Sequence, residues 1–136
     1  MIFYSGWMDP AVPARMVTTY HEQVVKAAGG PAAAARFERL YMLPGVYHCA
    51  GGPGPNVFDA LTPLVQWVEQ GVAPETIVAT KFVADTPPAV QMTRPLCVYP
   101  KVARYKGSGD SNVAASFVCV TDERDDNQTP APKFGP

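Results

Sequence analysis

Runs of strand formers alternate with amphipathic helical stripes along this sequence, each cut off by glycine or proline, and that alternation restricts the fold more than any other feature. Ile2 to Ser5 (IFYS) reads as a strand that stops at Gly6. The WMDPAVP that follows, with two prolines in four residues, is a loop that carries Asp9. From Ala14 to Ala28 the apolar residues Met16, Tyr20, Val24 and Ala27 or Ala28 recur at helical spacing, with Pro13 at the entry and Gly29-Gly30 as the stop. Phe37 and Leu40 to Leu43 form a second strand, ended by Pro44 and Gly45 and followed by a loop that holds His48 and Cys49. Asn56 reads as an N-cap with Asp59 in the first turn. Phe58, Leu61, Val65 and Val68 then make one stripe up to Gly71, which Pro63 is expected to bend. Residues 76–84 (TIVATKFVA) read as a third strand.

The order strand, helix, strand, helix, strand is that of an α/β layered domain with a mostly parallel sheet, whose functional loops collect at the carboxyl ends of the strands. Asp9 and His48 both fall on that edge. Beyond residue 84 the chain reads as turns, with one more strand pair around Val102 to Tyr105 and Ser116 to Val120. The chain has fifteen prolines in 136 residues against a usual share of roughly 5%, and the seven beyond residue 84 make this part irregular. Residues 1–121 read as a domain and residues 122–136, charged and then Pro-rich, as a flexible tail.

Eleven Lys and Arg against twelve Asp and Glu leave a formal charge of -1, without the basic cluster that phosphate backbones require. Nucleic acid is therefore not an expected partner. No apolar run approaches the roughly 20 residues of a membrane span, so no membrane partner is expected either. MIFYSGWMDP lacks the positive start and long apolar stretch of a signal peptide. Three cysteines are an odd count, which leaves one without a partner inside the chain under oxidising conditions.

A carboxylate and an imidazole on neighbouring strand-end loops are two parts of a hydrolytic triad, in which the acid fixes the histidine tautomer and stabilises the imidazolium. The third part is a nucleophile. No G-x-S-x-G elbow occurs in the sequence, so the expected serine lies upstream of Met1. Ser5, Ser108, Ser111 and Ser116 are the internal alternatives; Ser108 sits in a Gly-rich KGSGD loop, and Ser5 lies nearest Asp9 in sequence but at a strand end that suggests burial. Plainer readings stand beside these. Asp9 before Pro10 is a turn former, and His48 is a loop histidine that a backbone carbonyl would satisfy. His21 reads as ordinary helix surface, and Trp7 and Trp67 as packing residues. CAGGPGP lacks the Lys and Ser/Thr ending of a phosphate loop, and one His-Cys pair falls short of a zinc set.

Three stretches carry a more specific signal: YSGWMDPAVPARMVTTYHEQVV, FERLYMLPGVYHCAGGPGPNVFDALTPLVQWVEQGVAPETIVA and RPLCVYPKVARYKGSGDSNVAASFVC. Together they resemble the C-terminal part of the tannase and feruloyl esterase family, which includes mono(2-hydroxyethyl) terephthalate hydrolases, over nearly everything from Phe3 to Cys119. The resemblance implies a partial α/β-hydrolase fold with an irregular Pro-rich C-terminal segment, belonging to secreted or periplasmic enzymes. It implies Asp9 as the triad acid and His48 as the general base and then acid. Cys49 would be the thiol whose disulfide partner precedes the serine, left unpaired here, and Cys97 would pair with Cys119. The family's lid and its calcium site belong to sequence outside this chain, so no cofactor or metal is expected within it. Ser5 is a departure, since the family commonly has a histidine there, and Pro63 is a second.

Two function classes follow. One is a carboxylic-ester hydrolase acting on small aryl or phenolic esters, weak in isolation for want of the nucleophile elbow. The other is a catalytically weak or inactive module that self-associates into a homo-oligomer through an open sheet edge.

Overall fold

Strand β1 (Ile2–Gly6) and strand β2 (Arg39–Leu43) lie parallel, in a register that pairs Ile2 with Arg39 and Gly6 with Leu43. They belong to a computed structural model that describes residues 1–48 and 50–121. Cys49 and residues 122–136 lie outside the described residues, and with them the expectations of a free thiol and a flexible tail.

Helix α1 (Ala14–Ala27) supplies the crossover that a parallel pair needs. Its buried face is turned by one residue from the expected stripe. Val17 and Thr18 are buried, whereas Met16 and Tyr20 are 63% and 52% exposed. Val17 packs with Leu40 and Met42 of β2, and Phe3, Ala14 and Tyr99 close over them. This phase also turns His21 inward, four residues on from Val17. A short helix α2 (Pro31–Ala34), with Pro31 at its first position, follows at a stretch the sequence reading passed over.

All five residues of β2 are buried. Tyr41, Leu43 and Val46 join Ile77, Ala79 and Leu96 in the larger core, against which Ile2, Phe58 and Val98 pack. Burial raises the Tyr41 phenol pKa to about 12, with smaller opposing effects from Arg39 and Glu75, and its hydroxyl donates to Pro74 O at 2.7 Å.

Helix α3 (Leu61–Gln70) begins later than the sequence suggested. Asp59 Oδ1 accepts the N–H groups of Leu61 and Thr62 at 2.9 and 3.0 Å, so Asp59 rather than Asn56 caps it. Pro63 is therefore the third helical residue, where a backbone N–H has no intrahelical acceptor, and it removes no bond. Gly71 ends the helix in the left-handed region at φ 72°, its N–H reaching Trp67 O at 3.1 Å.

The expected parallel sheet does not continue into the next strands. Strand β3 (Thr76–Phe82) pairs antiparallel with β4 (Val90–Cys97). The short Val83–Ala89 connection leaves no room for the crossover that parallel pairing requires. Strands β5 (Lys101–Tyr105) and β6 (Phe117–Thr121) form a second antiparallel pair, close to the expected positions. A Cys97–Cys119 disulfide joins β4 to β6, as the family resemblance implied, with Cα atoms 5.6 Å apart.

Candidate active site

The parallel register brings the ends of β1 and β2 level, and the two loops leave the sheet side by side. Backbone bonds extend the pairing past the strands: Trp7 N–H donates to Leu43 O at 3.0 Å and Met8 N–H to Val46 O at 3.1 Å. Asp9 then turns the chain, its Oδ1 accepting the N–H groups of Ala11 and Val12 at 2.8 and 2.9 Å. Its other oxygen, Oδ2, lies 2.8 Å from His48 Nδ1. Asp9 thus both forms the turn and accepts a hydrogen bond from the histidine.

An ionised carboxylate only accepts hydrogen bonds, so Nδ1 is the donor, and whenever the ring is neutral Nε2 is left as acceptor. The Asp9 side chain is 4% exposed and that of His48 54%. Burial pushes the Asp9 pKa up, but the Val12 N–H, the His48 ring, the Ala11 N–H and the charge on His48 together outweigh it. The net result is a carboxyl held below its ordinary value of 3.8. The pair is thus a buried acceptor behind an exposed ring.

His48 occupies a loop that glycine makes possible. Gly54 lies so close to the Pro44 carbonyl that a Cβ there would sit 1.9 Å from its oxygen, and Gly54 N–H donates to Gly45 O at 2.8 Å. These glycines pack the loop onto itself. A signal missed in the sequence is the single Lys81 of TIVATKFVA. Buried on β3, its Nζ donates to Gly52 O and to Asp85 Oδ1, each at 2.6 Å.

A cleft of about 210 Å³ lies against the pair, lined by Phe3, Tyr4, Ser5, Val12 and Tyr47 together with Asp9 and His48. Ser5, partly exposed within β1, shares that cleft. Ser108 does not line it, lying on the β5 to β6 connection, and Ser116, directly before β6, is buried. Among the described residues, no group of three or more His, Cys, Asp and Glu side chains is arranged to hold a metal ion. None of their helices is long and apolar enough to cross a membrane.

His21 departs from its expected surface role. Its Nδ1 lies 2.6 Å from Glu38 Oε1, with the two side chains 12% and 1% exposed, and its ring meets Tyr99 edge to face. Trp67 packs under the Arg39 guanidinium, whose carbon is 5.0 Å from the ring centroid. Trp7, 37% exposed, borders the Asp9 turn.

Comparison with known proteins places the chain in a family. The chain is 49% identical over 120 residues to a mono(2-hydroxyethyl) terephthalate hydrolase of Piscinibacter sakaiensis, an alignment covering 88% of this chain and 19% of that protein. It is 40% identical to a probable feruloyl esterase of Arthroderma benhamiae, over 90% of this chain and 23% of the relative. The crystal structure of an esterase from Aspergillus oryzae superposes with a TM-score of 0.79 at 33% identity, over 88% of this chain and 27% of that one. The chain thus spans about a fifth to a quarter of the length of the proteins it matches. The family model for tannase and feruloyl esterase matches residues 1–120, and the chain belongs to that family.

Proposed function

We propose that the chain carries the acid and base of a serine-type carboxylic-ester hydrolase, with Asp9 and His48 in those roles. The observation that carries the reading is the 2.8 Å bond from His48 Nδ1 to a buried carboxylate, which leaves Nε2 free on an exposed ring beside a cleft. In this reading β1 and β2 are part of an α/β-hydrolase sheet, with α1 as their crossover. His48 Nε2 takes the proton of a serine hydroxyl as its oxygen attacks the ester carbonyl. Asp9 stabilises the imidazolium, which returns the proton to the leaving alkoxide, and a water activated at the same nitrogen then releases the acid.

The serine belongs, in this proposal, to the part of the relatives that this chain does not span, since no G-x-S-x-G occurs here. Ser5 is the alternative inside the cleft. Small aryl or phenolic esters are the proposed substrates. Two relatives are named for terephthalate and feruloyl esters, and Phe3, Tyr4 and Tyr47 offer aromatic faces. The Cys97–Cys119 disulfide accords with an oxidising compartment.

The test is a hybrid in which this chain replaces the matching segment of the 49% identical hydrolase. A hybrid that folds with its parent's thermal midpoint and hydrolyses a p-nitrophenyl ester supports the proposal. A folded hybrid without activity would count against it.

A second reading, self-association, has its own observation. Strand β1 has no second strand neighbour among the described residues, and Leu61 and Val68 of α3 are 68% and 77% exposed. Light scattering distinguishes it, because a strict monomer at high concentration is incompatible with edge pairing.

A further inference from the structure

We propose that Lys81 is a positioning residue for His48, its ammonium holding the glycine turn that closes the loop on which the imidazole sits. The inference rests on the reading of Asp9 and His48 as an acid and base pair.

A buried ammonium must be paired, and Lys81 at 7% exposure has two close acceptors, Gly52 O and Asp85 Oδ1. Local irregularities bring them together. The β3 to β4 register slips between Lys81, paired with Met92, and Phe82, paired with Val90. Bulges of this kind redirect a side chain. Directly beyond it, Ala84 and Asp85 adopt φ of 51° and 55°, a left-handed conformation that non-glycine residues seldom take. That turn brings the Asp85 carboxylate back to Lys81, and Asn56 Nδ2 donates to the same oxygen at 3.4 Å. The Lys81 bond chiefly holds the Asp85 carboxyl below its ordinary range, against the opposing effect of burial.

The bond to Gly52 is the one that reaches the site. Gly52 stacks on the other arm of the loop so closely that a Cβ would lie 2.3 Å from Gly45 O. Tyr47 N–H donates to Gly51 O at 3.3 Å, and the next residue is His48. Lys81 therefore fixes the outer arm of a turn whose inner arm leads into the imidazole. Methionine would fill the same volume without a buried charge, but it offers Gly52 no donor. The side chain touches no reacting atom and acts through the backbone, by limiting how far His48 departs from Asp9.

The 136-residue chain can be examined directly, because nuclear magnetic resonance of ¹⁵N-labelled imidazoles reports which ring nitrogen carries the proton. The unaltered chain is expected to show His48 as the Nδ1–H tautomer. In Lys81→Met the signals shift toward the Nε2–H form, and the Gly51, Gly52 and Gly54 amides exchange about tenfold faster. Lys81→Arg, which keeps a donor, restores part of the Nδ1–H population. His21, held by Glu38 between α1 and β2, is the internal control and stays unchanged.

Unmoved His48 signals in Lys81→Met, or equal movement of both histidines, would overturn the proposal. If Lys81→Met does not fold, Asp85→Asn decides. A smaller shift of His48 in the same direction supports the clamp, and no shift refutes it. An unaltered chain lacking the Nδ1–H form of His48 would defeat the acid and base reading itself, before Lys81 is changed.

Discussion

His48 Nδ1 lies 2.8 Å from Asp9 Oδ2 across 39 residues of sequence, and the two side chains are unequal partners: the carboxylate is 4% exposed and the ring 54%. The inequality follows from the backbone. Asp9 turns in toward its own Ala11 and Val12 amides, while His48 projects from a loop packed on glycines. In the proposed reading, a carboxylate satisfied in this way orients the ring, and the accessible ring is the one that would exchange protons with a substrate.

The depressed Asp9 pKa has a pH signature. A carboxyl whose folded pKa lies below its unfolded value contributes stability that is complete above the unfolded value and lost as pH falls through the folded one. Asp9→Asn is therefore expected to lower the thermal midpoint at neutral pH, with the gap from the unaltered chain closing as pH falls below 3.8. Midpoints measured between pH 7 and pH 2 check this, and a gap that widens toward acid contradicts it.

Gly6 holds the two loops together. A Cβ there would lie 2.2 Å from Val46 O and 2.5 Å from Tyr47 O, all rigid backbone atoms. Gly6→Ala is expected to force the His48 loop away from β1, destabilising the chain by about 1–3 kcal/mol. Hydrolysis by the hybrid enzyme should fall roughly 100-fold, the usual consequence of a misplacement near 1 Å. Thermal midpoint and rate, measured together, test both halves.

Much of the site was legible because it depends on local punctuation. Gly6 and Pro44 end the first two strands, so Asp9 and His48 could be placed on strand-end loops from the sequence, and a parallel register then makes them neighbours. Strand β4 was not legible: the alternation of Val90 and Met92 breaks at Arg94 and Pro95, and Pro95 is tolerated opposite Val78 because β4, among the described residues, has a strand neighbour on one side only. His21 was misread because the α1 stripe was phased on Met16 instead of Val17, and its partner Glu38 lies on the far side of α2. Lys81 was invisible for a similar reason. A lysine in a strand reads as solvated until the Gly52 carbonyl, 29 residues away, is brought against it.

The Cys97–Cys119 bond closes a loop with a sequence separation of 22 and ties β4 to β6. Chain-entropy arguments give such a closure about 3 kcal/mol. Cys97→Ala with Cys119→Ala is expected to lower the urea midpoint correspondingly, and a reducing agent should lower the unaltered chain to the same value. Activity per folded hybrid molecule should be retained, since the bond lies outside the cleft.

His21 serves stability and not chemistry. Removing it leaves the Glu38 carboxylate, 1% exposed and already with one oxygen lacking a hydrogen-bond partner among the described residues, without its counter-group. His21→Ala is expected to cost about 3 kcal/mol by equilibrium unfolding while leaving hydrolysis by folded hybrid unchanged. A rate loss without a stability loss would reverse that assignment.

The most direct test of the acid and base reading is kcat/KM for p-nitrophenyl ester hydrolysis by the hybrid carrying His48→Ala. Loss of the base is expected to lower it about 10⁴-fold with only a small fall in thermal midpoint from the lost bond to Asp9, because the ring is exposed, little packing depends on it, and Asp9 keeps its Ala11 and Val12 N–H donors. A folded His48→Ala hybrid with a rate within about tenfold of the unaltered one would contradict the account.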